Sequence, residues 1–186
     1  MDLIFDFKTV SHELQLYPVR LACQLVNGEK LLNQASIIIS PGVSISRVVY
    51  NVHDTSNEFA ELYGLPPHAA AGIFVSFLLK AERIVAHNVD FNISIAEAMI
   101  CRGKLEFKLD KFREIPRVCT MKSTTGLLKL PGQFGYRGPT LNEAYRNLID
   151  KNGIDAAHDA VASVRACHKI LNKLETMNVN LVGGSR

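Results

Sequence analysis

The sequence contains no apolar run close to the ~20 residues that a membrane-spanning helix needs, and it does not start with a signal-peptide pattern. Its four cysteines are scattered, with no pair at C-x-x-C spacing. This argues against a zinc knuckle and favours free thiols in a reducing compartment, so we expect a cytoplasmic protein with no membrane partner. A strong charge is also missing. The net charge of +3 permits a polyanionic partner without requiring one.

The length and composition indicate one globular domain. The chain has 186 residues, of which 47% are hydrophobic and 21% are charged. A chain of this length can bury a substantial core. Because no repeat or linker divides the sequence, we expect residues 1–177 to form the domain and residues 178–186 to form a flexible tail.

The first apolar stretch, residues 3–9, carries an acid in its middle. Side chains alternate between the two faces of a strand, so Ile4, Asp6 and Lys8 should share one face. A buried carboxylate costs free energy unless a cation, a metal or hydrogen bonds meet it. Asp6 is therefore either a functional-site residue or a paired structural one. Its early place in an α/β chain favours the functional site.

The rest of the pattern predicts an α/β fold. Two β-prone runs, Val19–Val26 and Leu31–Ser40, flank Asn27-Gly28, which is typical of a type I′ hairpin turn. Further helices are expected at about 54–63, 67–81, 140–149 and 157–177, and one more follows the strand at 83–86 and ends near 102. Another strand is expected at 115–120, and an irregular stretch at 104–117. These elements predict a mixed sheet flanked by helices, with three antiparallel strands followed by β–α alternation.

Three short stretches together resemble a known set of motifs. Residues 3–11 read L-I-F-D-F-K-T-V-S, residues 86–92 read A-H-N-V-D-F-N, and residues 157–163 read A-H-D-A-V-A-S. In order and spacing they resemble the DEDDh family of 3′→5′ exonucleases. That family's motifs read like L-I-F-D-T-E-T-T-G, A-H-N-x-x-F-D and H-x₄-D. Supporting segments at 51–53, 118–122 and 130–141 resemble one branch of the same family.

The resemblance implies the ribonuclease H-like exonuclease fold and two-metal phosphodiester hydrolysis. In such chemistry two Mg²⁺ or Mn²⁺ ions, about 3.5–4 Å apart, activate a water and stabilise the leaving 3′ oxygen. Carried over to this chain, the resemblance makes Asp6 and Asp90 metal ligands. It makes His158 the general base that acts on the water.

Two of the five family positions differ in this chain. The Glu of the first motif is Lys8, and the last Asp of the third motif is Ser163. Unit charges ~4 Å apart interact by ~4 kcal/mol at an effective dielectric of ~20, so an ammonium would repel a dication by about twice that. We expect Lys8 to form a salt bridge with Asp6 or Asp90 instead. The alternative is that Lys8 points into solvent beside a partly kept metal site.

The same resemblance suggests which residues would contact a nucleic acid. They lie around the first two motifs and in the Gly/Pro-containing loop: Phe7, His87, Asn88, Phe91, Phe134, Tyr136 and Arg137. The loop residues could stack a base or fill a loop core. The basic residues between 102 and 122 alternate with acids, which favours a solvated face over a nucleic-acid track.

The matching motifs and the two replaced acids together favour a catalytically degenerate exonuclease-fold protein with no metal bound. It would bind a single-stranded DNA or RNA 3′ end or a protein partner. One alternative is an active 3′→5′ exonuclease with an atypical Mg²⁺ or Mn²⁺ site on Asp6, Asp90 and His158. Another is a protein inhibitor or adaptor that never touches nucleic acid. Whether the chain is an enzyme stays open, because Lys8 and Ser163 favour binding whereas His158 favours chemistry.

Overall fold

A computed structural model describes residues 1–10, 16–46, 55–156 and 159–184. At its centre is a five-stranded mixed sheet with the strand order β3-β2-β1-β4-β5. The strands are β1 (Asp2–Thr9), β2 (Pro18–Asn27), β3 (Lys30–Ile38), β4 (Arg83–Ala86) and β5 (Arg117–Cys119). The first three pair antiparallel, and β4 and β5 follow parallel to β1. The predicted mixed sheet is confirmed.

Helices cover both faces of the sheet. They are α1 (Asn57–Tyr63), α2 (Pro67–Leu78), α3 (Val89–Arg102), α4 (Leu109–Glu114), α5 (Thr120–Leu128), α6 (Leu141–Leu148) and α7 (Ala160–Thr176). A 3₁₀ helix (Glu106–Lys108) precedes α4, and a small hairpin of β6 (Pro131–Gly132) and β7 (Gly135–Tyr136) precedes α6. None of the helices among these residues is long and apolar enough to cross a bilayer.

β1 divides the core into two layers. On one face Leu3, Phe5 and Phe7 pack in a large apolar cluster with α2 and α3. On the other face Ile4 packs with the buried side of α7. Asp6 and Lys8 share the face of Ile4 because side chains alternate along a strand. The alternation therefore directs both charged side chains towards α7.

The β2–β3 hairpin forms as predicted, but its turn is of another kind. Asn27 pairs with Lys30, so Gly28 and Glu29 are the two turn residues. A type I′ turn needs a positive φ at both central positions, whereas here only Gly28 has one, at 56°. Gly as the first central residue is the pattern of a type II′ turn. The two central turn residues are thus Gly28 and Glu29, one position later than the predicted Asn27 and Gly28.

β3 forms one edge of the sheet. No strand lies on its outer side within the part of the chain that the structure describes. Leu31 and Leu32 are exposed there. The pairing with β2 shifts register at Leu32, which makes a β-bulge near the hairpin end of the strand.

Two segments of the chain contradict their predicted conformation. The stretch at 104–117 contains the 3₁₀ helix and α4, because Leu109 and Phe112 are one helical turn apart and both are buried. α5 was not predicted, since its β-branched residues and Gly126 have low helix propensity. Its buried Ser123 and Thr124 show that tertiary packing holds this helix.

Residues 178–184, where the sequence predicts a flexible tail, contact the rest of the fold. The Cys119 N–H donates to the Val182 carbonyl at 2.8 Å, and the Val182 N–H donates to Ser123 Oγ at 2.9 Å. Leu181 packs against both the α7 side of the sheet and the cluster between α6 and α7. This segment therefore lies against the edge formed by β5.

Candidate functional site

Lys8 folds back over Asp6 and reaches α7. Its Nζ lies 2.8 Å from Asp6 Oδ2 and donates a hydrogen bond to Ser163 Oγ at 2.9 Å. The side chains of Lys8 and Asp6 are only 15% and 19% exposed, and Ser163 is buried. The predicted Lys8–Asp6 ion pair is confirmed, and the alternative of a lysine pointing into solvent is wrong. The two positions that depart from the family motifs contact each other.

Asp6 depends on this lysine for compensation of its charge. Its Oδ2 atom is buried, accepts no hydrogen bond from the described residues, and lies 2.8 Å from Lys8 Nζ. A desolvated carboxylate oxygen is costly without a partner. The attraction of the Lys8 ammonium therefore balances the Asp6 charge.

The start of α7 has its own polar contacts. Asp159 is the N-cap of this helix, and its Oδ2 accepts from the Ala162 N–H at 3.2 Å. Its Oδ1 lies 3.9 Å from Arg20 Nη1. Asp159 thus serves as a helix cap and an ion-pair partner, and does not supply the acid missing at position 163. The predicted general base, His158, lies outside the described residues, and so does the segment at 51–53.

The second motif places an amide beside β1. α3 begins directly after β4, so its first turn lies at the carboxyl ends of β1 and β4. Asn92 Oδ1 accepts the Phe7 backbone N–H at 3.1 Å, and its Nδ2 donates to the carbonyls of His87 and Asn88 at 3.2 and 3.3 Å. Asn92 is buried. This amide therefore ties α3 to β1 one residue after Asp6.

Asp90 does not lie with this group, which corrects its assignment as the second metal ligand. Residues two apart on an α-helix point about 200° away from each other, so Asp90 faces away from the strand that Asn92 contacts. Its Oδ2 forms an ion pair with Lys122 Nζ at 2.6 Å. In A-H-N-x-x-F-D the acid is the seventh residue, which is Asn92 here, whereas Asp90 is the fifth.

The described residues do not fit a pair of dications. Mg²⁺ and Mn²⁺ need clustered carboxylate oxygens. Where the motifs call for acids, this chain has Lys8, Asn92 and Ser163, and Asp6 already pairs with the lysine. No group of three or more His, Cys, Asp or Glu side chains suited to a metal exists among residues 1–10, 16–46, 55–156 and 159–184.

Millimolar Mn²⁺ is therefore expected to leave the melting temperature unchanged. A ligand that binds only the folded state stabilises it by RT ln(1 + [L]/Kd), and Lys8 opposes such binding. For a chain of this size each 1 kcal/mol corresponds to roughly 2–4 °C. Thermal unfolding with Mn²⁺ and with EDTA measures the effect. A rise of several degrees that Asp6→Asn abolishes would contradict the expectation.

His87 joins the site to the loop before α6. Its Nε2 lies 2.9 Å from the Pro139 carbonyl, and its Nδ1 lies 2.9 Å from Thr120 Oγ1. A carbonyl can only accept, so Nε2 carries the proton and Nδ1 accepts from the hydroxyl. Both ring nitrogens are thus used within the protein, and the contact of His87 with nucleic acid stays a prediction. Thr120 Oγ1 also lies 3.5 Å from the buried Cys167 thiol, whose pKa burial raises to about 12.

Acid is expected to weaken the fold through His87. Burial lowers the pKa of this imidazole, although the Pro139 carbonyl and the Asp6 charge oppose the shift. The neutral ring is favoured in the folded state, so its contribution is full above ~6.5 and is lost as the pH falls from there towards the lowered value. One such proton changes the free energy of unfolding by at most ~1.4 kcal/mol per pH unit.

Urea unfolding at pH 7.5, 6.5 and 5.5 measures this contribution. His87→Gln should lose less stability on acidification than the parent protein. His168→Gln is the matched control, since this half-buried histidine forms a hydrogen bond with the Gly28 carbonyl in the β2–β3 turn. If His87→Gln and His168→Gln gave the same pH dependence, His87 would not be the acid-sensitive group.

The remaining predicted contacts of the first two motifs lie mostly in the fold itself. Phe7 is buried in the apolar cluster on the face opposite Asp6, which corrects its assignment as a nucleic-acid contact. Phe91 is partly buried against that same cluster. Asn88 has the left-handed conformation, with φ 62° and ψ 63°, and its carbonyl accepts from Asn92. Asn88 thus shapes the junction between β4 and α3.

The aromatic side chains of the predicted loop stand in solvent. Phe134 in the β6–β7 turn is 95% exposed, and Tyr136 in β7 is 60% exposed. The possibility that they fill a loop core is therefore wrong. Arg137 is exposed, and its guanidinium donates hydrogen bonds of 2.8 and 2.6 Å to the two carboxylate oxygens of Glu143. These bonds hold the pKa of Glu143 at about 2.

Comparison with known proteins gives a fold and no family. No family model matches the chain, and no curated protein sequence matches it. Among solved structures, E. coli Exonuclease I in complex with a dT13 oligonucleotide is similar with a TM-score of 0.78 at 14% identity, covering 94% of this chain and 41% of its own. Exonuclease X in complex with 5′ overhanging duplex DNA has a TM-score of 0.61 at 18% identity, covering 97% of this chain and 95% of its own.

A moderately thermophilic Exonuclease I from Methylocaldum szegediense is also similar, with a TM-score of 0.74 at 14% identity. The match covers 94% of this chain and 40% of that one. The chain thus spans about two fifths of the length of the Exonuclease I chains. The likeness confirms the predicted α/β fold of the ribonuclease H-like exonuclease type.

Proposed function

We propose that this chain is a catalytically degenerate exonuclease-fold protein that binds the 3′ end of single-stranded DNA without hydrolysing it. One observation carries the proposal, namely the Lys8 ammonium placed 2.8 Å from Asp6 and 2.9 Å from Ser163. The single cation stands where the family motifs call for an acid. Hydrolysis by two metals then has no ligand set, whereas binding remains chemically reasonable.

The electrostatics of the site support binding of a phosphate. A cluster of acids without metals repels a phosphodiester, but the Lys8–Asp6 pair has no net charge. An ammonium has three N–H donors, and its contacts with Asp6 and Ser163 engage two sides of it. A proton that is not donated to Ser163 can donate to a phosphate oxygen. DNA is favoured over RNA because the similar Exonuclease I and Exonuclease X structures were solved in complex with DNA.

The first test is an assay for hydrolysis. Labelled single-stranded DNA and RNA should keep their length with Mg²⁺ or Mn²⁺, because the acids that hold those ions are replaced. Denaturing gels resolve the products. Laddering from the 3′ end that disappears in Asp6→Ala would promote the alternative of an active exonuclease with an atypical site.

The second test measures binding to an end. A linear single strand should bind at least tenfold more tightly than a circular strand of equal length, a difference of ~1.4 kcal/mol. Lys8→Met should weaken binding of the linear strand roughly tenfold, as expected for one charge-assisted hydrogen bond. Lys151→Met, at an exposed turn before α7, is the matched control.

Fluorescence anisotropy in EDTA and in Mg²⁺ provides these affinities, with folding of each variant checked by circular dichroism. Tighter binding of RNA than of DNA would reassign the nucleic acid. Equal affinity for linear and circular strands would remove the 3′ end from the proposal. No binding to either nucleic acid would overturn it and favour a protein partner.

A further inference from the structure

The β6–β7 hairpin presents two aromatic rings that the fold does not use. Phe134 is 95% exposed and Tyr136 is 60% exposed. The residues next to Phe134 in the turn are Gln133 and Gly135, so little side-chain bulk crowds the ring. Exposed aromatic rings forgo the gain of burial. Their presence on one small hairpin therefore indicates a ligand-binding surface.

The hairpin has a stiff base. The Arg137 N–H donates to the Leu130 carbonyl at 3.0 Å, which closes the hairpin where it leaves the fold. The Arg137 guanidinium binds both carboxylate oxygens of Glu143. Glu143 also forms a capping box with Thr140 at the start of α6. Rings held on such a support lose little conformational freedom when a ligand binds.

The same hairpin is attached to the candidate site. The Pro139 carbonyl accepts from His87 Nε2 at 2.9 Å, and His87 follows β4, the strand beside β1. The Asp6 charge is near enough to influence the pKa of His87. Pro139 lies five positions after Phe134 in the chain, so their Cα atoms are at most ~18 Å apart. The hairpin is thus linked to the strand beside β1 through the hydrogen bond between Pro139 and His87.

We infer that Phe134 and Tyr136 form a stacking platform for the bases of the single strand whose 3′ end lies at Lys8. The inference rests on the proposed function and adds a second contact region to it. A base needs only an open π-face, which a ring that is 95% exposed offers. A protein partner would require a contiguous apolar patch, and the glycines around Phe134 do not supply one. Stacking tolerates any base, so the platform adds affinity without sequence preference.

The test places 2-aminopurine at successive positions of a single-stranded oligonucleotide. Stacking on an aromatic ring should change its fluorescence at one or two positions near the 3′ end. Phe134→Ala and Tyr136→Ala should each weaken binding by roughly 5- to 150-fold, the range measured for base–aromatic stacking. The signal at the affected position should be lost in parallel. Replacing that base by an abasic spacer should weaken binding of the parent protein and leave Phe134→Ala unaffected.

Phe107→Ala is the matched control, because this exposed ring lies beside Lys108 on the 3₁₀ helix and is not part of the hairpin. It should change neither affinity nor fluorescence. If the parent protein binds DNA through Lys8 but Phe134→Ala and Tyr136→Ala bind as tightly as Phe107→Ala, the platform is refuted while the proposed function stands. If the parent binds no single strand at all, the proposed function fails first. Equal losses in all three variants would also refute the platform.

Discussion

Replacing Lys8 by Met is expected to lower the free energy of unfolding by about 2–4 kcal/mol. Met keeps much of the length and volume of the side chain but removes the charge that faces Asp6. Breaking a fully buried ion pair by removing one partner typically costs 3–5 kcal/mol, because the other charge remains uncompensated. The expected loss of unfolding free energy is smaller here, since the Lys8 and Asp6 side chains are still 15% and 19% exposed to solvent.

A double-mutant cycle separates this pair from general damage. Asp6→Asn alone should also destabilise, because it leaves the ammonium with Ser163 only. The variant that combines Asp6→Asn with Lys8→Met should be less destabilised than the sum of the two, since no desolvated charge remains. Urea unfolding provides all four values.

The matched control is Lys122→Met, which removes the cation from the Asp90 pair. That pair is more exposed, at 32% and 38%, so it should contribute at most ~1 kcal/mol. Additive losses at Asp6 and Lys8, or a loss at Lys8 no larger than that at Lys122, would show that the pair does not compensate a buried charge.

The triple variant Lys8→Glu, Asn92→Asp and Ser163→Asp is expected to become strongly dependent on a metal. It removes the cation and places three further acids beside Asp6. Without metal the fold should lose several kcal/mol, because like charges ~4 Å apart repel by ~4 kcal/mol per pair at an effective dielectric of ~20. Mn²⁺ at 100 times its Kd should restore ~2.7 kcal/mol, a rise of roughly 5–10 °C in melting temperature for a chain of this size.

The acid introduced at position 92 distinguishes a metal site that uses this position from one that uses Asp90. Adding Asp90→Asn to the triple variant should leave the Mn²⁺ response intact, because Asp90 faces Lys122. Adding Asp6→Asn should abolish it. The double variant Lys8→Glu and Ser163→Asp, which lacks the acid at 92, should respond more weakly than the triple variant. A folded triple variant with no Mn²⁺-dependent change by thermal unfolding or calorimetry would show that the geometry no longer suits a metal.

The sheet and the ion pair follow from local rules that a sequence displays. Strand alternation alone predicts that Asp6 and Lys8 share a face, and a desolvated carboxylate predicts a partner. Nothing in the sequence shows that the Lys8 ammonium also reaches Ser163, because that contact depends on how α7 packs on β1. The motif comparison carried enough order and spacing to predict the fold type without a matching family.

The second motif shows where sequence reasoning went wrong. The sequence favours Asp90 because it is the acid in this stretch, although the seventh position, where the family motif has its acid, is Asn92. Counting seven positions from Ala86 would have identified Asn92 from the sequence alone. The contacts of His87 were out of reach, since Thr120 and Pro139 come near it only through tertiary packing. The fully exposed Phe134 was equally hidden, because burial of a loop residue has no periodic signature.

The exposed edge of β3 affects the self-association of the protein. Natural edge strands avoid joining other chains by means of charges, prolines or bulges. The bulge at Leu32 and the charge of Lys30 protect the hairpin end, and at the other end the Leu65 N–H donates to the Ile38 carbonyl at 2.8 Å, but residues 33–37 read N-Q-A-S-I, with no charge and no proline. An extended segment of another molecule can add to this flat stretch through backbone hydrogen bonds alone. Self-association at high concentration is therefore expected to start at residues 33–37 of β3.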